Sequence, residues 1–434
     1  IFFNKKILIY GFGKSGVSAY KFLKKKNQIY LYDDKKIIGK NKQTKKKFIN
    51  HKELIKKDID YIIISPGINI LKCKLSNFLK KNLKKINTDL DVFFSQYGKN
   101  KNITITGTNG KSTTAQILYD VLKQQKVDVR LVGNIGNPIL SEKNINNKTI
   151  FVIEASSYQL EYSKLFKSNI AAILNISPDH LERHKKLKNY IDAKFKLIKN
   201  QTKEDYAVLN INNGYIKKEI KKHKFVSKII KVNKQVQPIV LKKINNPYFM
   251  SDGNKENLSF IFEIAKILRI KKNDLFKVLK KFDGLQYRQQ IIFKSKNLTI
   301  INDSKATSFS SSASILSSLA KVFWIVGGLA KKGDKFLLSK KNFKNSKAYI
   351  FGKNKNFFST KLKKMIKFET FLDLKSLIKK VVIDVKNNKD QNHITILFSP
   401  AAASFDSFKN FEERGKYFNN LIKKAFNVRR LLSL

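Results

Sequence analysis

The segment Ile103-Thr-Ile-Thr-Gly107-Thr108-Asn109-Gly110-Lys111-Ser112-Thr113 gathers the groups that phosphate chemistry needs. A β run that enters glycines and then a helix aims several backbone N–H groups at one point. Those donors, the positive helix N-terminus and a lysine form a cradle suited to a triphosphate. A hydroxyl directly after the lysine can hold Mg²⁺. The spacing departs from the usual phosphate loop, because Ile105 stands where its first glycine would be. The strand before and the helix after argue against a chance Gly-Lys-Ser loop.

Two further groups carry chemistry. Gly11-Phe-Gly13-Lys14-Ser15-Gly16 follows the first apolar run, and Asp33-Asp34 close the next one. That is the layout of a dinucleotide turn with its ribose-binding acid, although a tight strand-to-helix turn would look the same. NAD and a UDP-sugar would both satisfy these donors. The third group follows two apolar runs near the phosphate loop: Glu154, then Asp179-His180-Leu-Glu182-Arg-His184. Oxygen ligands beside bound phosphate suit Mg²⁺, which prefers carboxylates, water and phosphate oxygens. Each of these residues alone could equally be a helix cap or a surface acid.

The elements that must position these groups alternate as in a layered α/β protein. Lys6–Tyr10 reads as a strand, followed by a Gly-rich turn and a helix through about Lys25. Further strands are expected at Ile29–Tyr32 and at Tyr61–Ser65, the latter stopped by Pro66-Gly67. A second series opens at Asn102–Thr106 and continues through Phe151–Ile153 and Ile170–Asn175. A third follows Asp283-Gly284, with strands near Leu298–Asn302, Val322–Val326, Ala348–Phe351 and Ile394–Phe398. The expected domains are 1–92, 93–284 and 285–434. No short repeat and no low-complexity linker interrupts them.

A chain of 434 residues, 42% of them hydrophobic, is long enough for two or three domains. No apolar run approaches the roughly 18 residues of a membrane span. The lone Cys73 excludes an internal disulfide framework and a cysteine-cluster zinc site. No signal peptide is seen in the sequence as given, although it begins at Ile1 rather than Met. These features point to the cytoplasm, with no membrane partner. The formal charge of +57 would suggest nucleic acid, yet only seven of the basic residues are arginine. Phosphate-gripping surfaces favour arginine forks, and here the lysines are scattered from Lys5 to Lys424. Abundant Lys, Asn, Ile and Phe share AT-rich codons, so composition drift explains the charge and no nucleic-acid partner is expected.

Beyond these readings, the sequence resembles the Mur ligases, in particular their D-glutamate-adding type. The resemblance is carried by Thr106–Thr113, Gly133-Asn134-Ile-Gly136, Glu154–Glu161 and Asn175–His184. Three later blocks select the type: Phe282–Arg288, Asn302–Thr307 and the long Ser399–Gly415. Matches run in order from about residue 7 to 420. The resemblance implies an ATP-dependent amide ligase of peptidoglycan synthesis with three domains: Rossmann-like, central phosphate-loop ATPase with a mostly parallel sheet, and C-terminal Rossmann-like. It implies that Gly13, Lys14, Ser15, Asp34, Lys35, Ser65, Gly67 and Asn134 hold UDP-N-acetylmuramoyl-L-alanine. Gly107, Thr108, Asn109, Gly110, Lys111, Ser112 and Thr113 would hold ATP, joined by Asn254, Asn257, Arg288 and Asp303. Ser112 and Glu154 would serve one Mg²⁺ and His180 a second. Thr307, Lys331, Ser404, Phe405 and Phe411 fall where the family binds D-glutamate.

Lys194 is singled out by the resemblance alone, as the lysine that this family carbamylates with CO₂ to make an anionic Mg²⁺ ligand. With Lys111, Glu154 and His180 it completes the expected catalytic set. Several positions depart from the family pattern. Gly253 and Tyr287 stand where histidines are common, Leu329-Ala330 replace Asp-Gly, and Ala402 replaces a common cysteine. A monomer is expected. The rivals are a sibling amide ligase, including a folylpolyglutamate synthase, which lacks the Ser399–Gly415 block, and more distantly an NAD-dependent dehydrogenase, which leaves the phosphate loop unused.

Overall fold

The computed structural model describes residues 1–35, 42–233, 236–330, 338–343, 345–388 and 393–427. The chain divides into two compact units, Ile1–Gln235 with Ser259–Val278, and Val236–Leu258 with Leu279–Leu434. The first unit holds two parallel sheets and the second a third sheet. This is the α/β class expected, with Rossmann-like strand orders.

The N-terminal sheet comprises β1 (Lys6–Tyr10), β2 (Gln28–Tyr32), β3 (Tyr61–Ile64) and β4 (Ile86–Asn87), in the order β2-β1-β3-β4. Its central strands are buried on both faces: Ile7 and Ile9 join one core cluster, Leu8 and Tyr10 another. Such strands read as continuous apolar runs rather than alternating ones, which is why they are visible in sequence.

The second sheet comprises β5 (Asn102–Thr106), β6 (Val129–Gly133), β7 (Ile150–Glu154), β8 (Ile170–Ile173), β9 (Tyr206–Asn210) and β10 (Lys228–Val232). Its order is β10-β9-β8-β5-β7-β6, with β5 paired in parallel to both β7 and β8. The chain therefore leaves β5 where the strand order reverses. At such a switch point the two flanking connections part and open a crevice at the carboxyl ends of the strands.

The third sheet has β11 (Gln290–Lys294), β12 (Leu298–Asn302), β13 (Val322–Gly327), β14 (Lys347–Phe351), β15 (Lys367–Thr370) and β16 (Ile394–Phe398). Its order is β11-β12-β16-β13-β14-β15, parallel except for the edge strand β11, which runs antiparallel to β12. Asp303 and Ser399 follow directly on the ends of the paired strands β12 and β16.

Candidate active site

In the central sheet, the phosphate loop connects β5 to the helix Lys111–Gln124. Gly107 and Gly110 both take positive φ, 154° and 82°. The positive φ favours glycine at 107, where a Cβ would also press on Leu174 Cβ at 3.1 Å. The loop is pinned from the segment after β8. Thr108 N donates to Asn175 O (2.9 Å) and Asn109 N to Asn175 Oδ1 (2.8 Å). The Thr108 hydroxyl lies 3.0 Å from the Tyr190 hydroxyl. Lys111 Nζ folds back onto the loop, donating to Gly107 O (2.9 Å) and Thr108 O (2.8 Å).

Neighbouring strand ends bring the expected polar groups to this loop. Glu154, the last residue of β7, is buried and accepts from Ser112 Oγ (2.7 Å) and Asn134 Nδ2 (3.0 Å). Register makes this possible, because β5 pairs with β7 and the two chains end together. Lys194, on the helix Leu187–Lys199, is 1% exposed and donates to Gly107 O at 2.8 Å. Its Nζ also sits 4.6 Å over the Tyr190 ring. Burial, followed by the nearby Lys111 charge, holds the Lys194 amine well below the ordinary lysine range.

His180 has positive φ (54°), with its N–H on Asp179 Oδ1 at 2.9 Å. Its ring nitrogen Nδ1 lies 2.9 Å from the Tyr158 hydroxyl, and Nε2 lies 3.4 Å from Asp179 Oδ2. Among the described residues no group of three or more His, Cys, Asp or Glu side chains forms a metal cage. At the loop itself stand one hydroxyl, one carboxylate and the Lys194 amine, while the His180 imidazole is held by Tyr158 and Asp179.

The Gly-rich turn belongs to the same unit. Gly11 has φ 88°, and a Cβ on Gly16 would come within 1.9 Å of Gly11 O. Ser65 Oγ donates to Gly11 O (2.6 Å), tying the end of β3 to the turn. Asp33 accepts from Phe12 N (2.6 Å) and Lys35 N (2.9 Å), so it braces the turn from within. Asp34 accepts from the Tyr10 hydroxyl (2.6 Å) and from Lys74 N (3.3 Å). Gly13, Lys14, Lys35 and Gly67 are exposed and Ser15 is half-buried.

In the second unit, Asn254 Nδ2 donates to Tyr248 O (2.8 Å) and Gln289 Oε1 (3.1 Å), and Asn257 donates to Asn254 Oδ1 (3.2 Å). Arg288 lies between two residues of positive φ, Tyr287 (61°) and Gln289 (49°). Asp303 is buried, accepting from Gln289 N (3.1 Å) and Ser399 Oγ (2.9 Å). Its carboxyl is pushed up to about 7, foremost by burial. Ser404 is buried, Thr307 and Phe405 are exposed, and Phe411 lies under Lys305 Nζ at 4.0 Å. Lys331 lies outside the described residues.

Arg414, inside the Ser399–Gly415 block, has no role legible from sequence. It is fully buried and cross-braces two loops, donating to Ser304 Oγ (3.1 Å), Ser304 O (2.7 Å) and Ala402 O (2.9 Å). Desolvation lowers its guanidinium to about 10. The signal that could have found it is an arginine inside a lysine-dominated chain.

Comparison with known proteins matches this architecture. The Mur ligase middle domain family matches residues 105–264, the span of the phosphate loop, Glu154, His180 and Lys194. UDP-N-acetylmuramoylalanine--D-glutamate ligase of Rickettsia bellii is 33% identical, over 96% of this chain and 97% of its own. The enzyme of that name from Caldicellulosiruptor saccharolyticus is 31% identical, over 97% and 99%. Among solved structures, the fold is similar to UDP-N-acetylmuramate-alanine ligase MurC of Thermotoga maritima. That likeness has a TM-score of 0.56 at 16% identity, over 97% of this chain and 100% of the other. MurF ligase of the same organism, solved in complex with ADP, gives 0.55 at 13%, over 97% and 96%. The chain belongs to the Mur ligases, and within them to the family of UDP-N-acetylmuramoylalanine--D-glutamate ligases.

Proposed function

We propose that this chain joins D-glutamate to UDP-N-acetylmuramoyl-L-alanine in peptidoglycan synthesis, with ATP activating the carboxylate as an acyl phosphate. The observation that carries this is one cluster within family-matched residues: the phosphate loop, the Ser112–Glu154 pair and the buried Lys194 on Gly107. A carboxylate resists amines because its oxyanion is a poor leaving group. Transfer of the γ-phosphoryl group to one carboxylate oxygen, with ADP departing, supplies a better one. The D-glutamate amine then attacks the carbonyl carbon, and the C–O bond breaks to release inorganic phosphate and leave the amide.

The site residues support each requirement. Loop N–H groups and Lys111 would neutralise the triphosphate, and the Lys111 amine already lies at the loop it would serve. The Ser112 hydroxyl and Glu154 carboxylate, 2.7 Å apart, are the donor types that Mg²⁺ takes beside nucleotide phosphates. His180 and Lys194 would serve a second ion. Mg²⁺, when bound, offsets the negative charge shared by ATP and the attacking carboxylate. The Lys194 side chain, in its amine form, can add to CO₂ with loss of one proton, which would put an oxygen anion where an ammonium would repel the metal ions.

The Gly-rich turn with Ser15, Asp34, Lys35, Ser65 and Asn134 is assigned to the UDP-sugar. Asn254, Asn257, Arg288 and Asp303 are assigned to ATP. Thr307, Lys331, Ser404, Phe405 and Phe411 are assigned to D-glutamate. Limits of 1–92, 93–284 and 285–434 express this division of labour, in a monomer working in the cytoplasm. No helix among the described residues is long and apolar enough to cross a membrane. The test is phosphate release from ATP and UDP-N-acetylmuramoyl-L-alanine with single amino acids. D-glutamate should support it and L-glutamate, L-alanine and diaminopimelate should not; release with every amino acid alike would overturn the assignment.

A further inference from the structure

Around His180 lies an arrangement that the motif reading does not use. Tyr158, in the short helix Ser157–Glu161 after β7, has two partners. The Arg183 guanidinium lies 4.8 Å over its ring, and Arg183 Nε is fixed by Glu161 Oε2 at 3.0 Å. The Tyr158 hydroxyl meets His180 Nδ1 at 2.9 Å, with ring centroids 4.9 Å apart. His180 itself needs holding, since its side chain is 43% exposed at the start of a four-residue helix. Of the other groups near the imidazole, Asp179 Oδ2 stands 3.4 Å from Nε2 and Glu182 Oε1 stands 3.5 Å from Nδ1, both farther than the Tyr158 hydroxyl.

A neutral imidazole has one N–H and one lone pair, so whatever holds one nitrogen decides what the other offers. We propose that Tyr158 is a positioning residue whose hydroxyl anchors His180 Nδ1, presenting Nε2 to the catalytic metal. This rests on the reading of His180 as a metal-site residue. When Nε2 carries the lone pair, Nδ1–H donates to the Tyr158 oxygen. Arg183 and Glu161 set the ring that carries that oxygen. Partners of this kind change metal affinity by about 10- to 100-fold when removed.

Tyr158→Phe is a clean perturbation, because it keeps the ring against Arg183 and His180 and deletes only the hydroxyl. Mn²⁺, followed by electron paramagnetic resonance with a non-hydrolysable ATP analogue, reports binding without turnover. Tyr158→Phe should weaken Mn²⁺ about tenfold, leave the melting temperature unchanged, and regain turnover at saturating metal. His180→Gln should weaken Mn²⁺ as well, and adding Tyr158→Phe to it should do nothing more, since the hydroxyl then has no imidazole to hold. Unchanged Mn²⁺ affinity in Tyr158→Phe, with His180→Gln weakened, overturns the proposal and leaves the reading of His180 standing. Unchanged affinity in His180→Gln overturns both. Weakening in Tyr158→Phe that adds fully to that of His180→Gln also overturns it.

Discussion

Asp303 carries a conflict between stability and function that Asp303→Asn should expose. Its carboxyl is fully buried and pushed from 3.8 up to about 7, mainly by desolvation, against the lowering effects of Ser399, Gln289 N–H, Arg288 and Arg414. Folded protein therefore binds more protons than unfolded protein between about pH 4 and 7, and stability falls as pH rises through that window. The shift corresponds to on the order of 4 kcal/mol once the carboxylate is fully ionised. Asparagine fits the same space. Its carbonyl can accept from Gln289 N, and its amide can donate to Ser399 Oγ, which lies 2.7 Å from Ser312 Oγ and can turn its own proton there. Asp303→Asn should be nearly neutral at pH 5 and raise the melting temperature by several degrees at pH 8. Ligase activity should fall at both values. The assay is melting of both proteins across that range, comparing differences so that other carboxylates cancel. A pH-independent difference, or a less stable variant at pH 8, would refute the reasoning.

Three further perturbations separate chemistry from architecture. Lys111→Ala should reduce turnover on the order of a hundredfold or more; half the wild-type rate would overturn its role. Lys194→Ala should be nearly inactive and partly rescued by acetate, which supplies the missing oxygen anion; full activity without added carboxylate would sink the carbamate. Asp91→Ala should lower stability by about 3 kcal/mol, read by urea unfolding. Asp91 Oδ1 accepts from Ser163 Oγ and from the N–H groups of Lys164, Leu165 and Phe166 within 3.2 Å, and a neutral result would show those donors find other partners.

What could be read in the sequence follows from where the physics is local. β5, β12 and β16 were visible as apolar runs with the bounds observed, because central parallel strands are buried on both faces. The edge strands β10 and β15 were not. β10 carries two exposed lysines and β15 opens on one, charges that protect a sheet edge and hide it from hydrophobic periodicity. β11 escaped because it runs antiparallel, before the strand at which the third series seemed to open. Within the site, Ser112 and Glu154 were paired through the family resemblance, and the structure sets them together because β5 and β7 are neighbours. Lys194 could not be told from residue pattern alone, since only tertiary packing distinguishes it from the other lysines; its burial on Gly107 comes from the fit of helix Leu187–Lys199 to the loop. Tyr158 and Arg414 were equally silent, because their partners lie 22 and 110 residues away.

The central claim is that the residues around the phosphate loop pass a phosphoryl group to the substrate carboxylate. Its most direct test is isotope transfer, with both carboxylate oxygens of UDP-N-acetylmuramoyl-L-alanine carrying ¹⁸O. Turnover with ATP and D-glutamate should deliver one labelled oxygen to each inorganic phosphate released, because the bond broken in amide formation is the acyl C–O bond. Unlabelled phosphate, or label recovered in AMP, would contradict it.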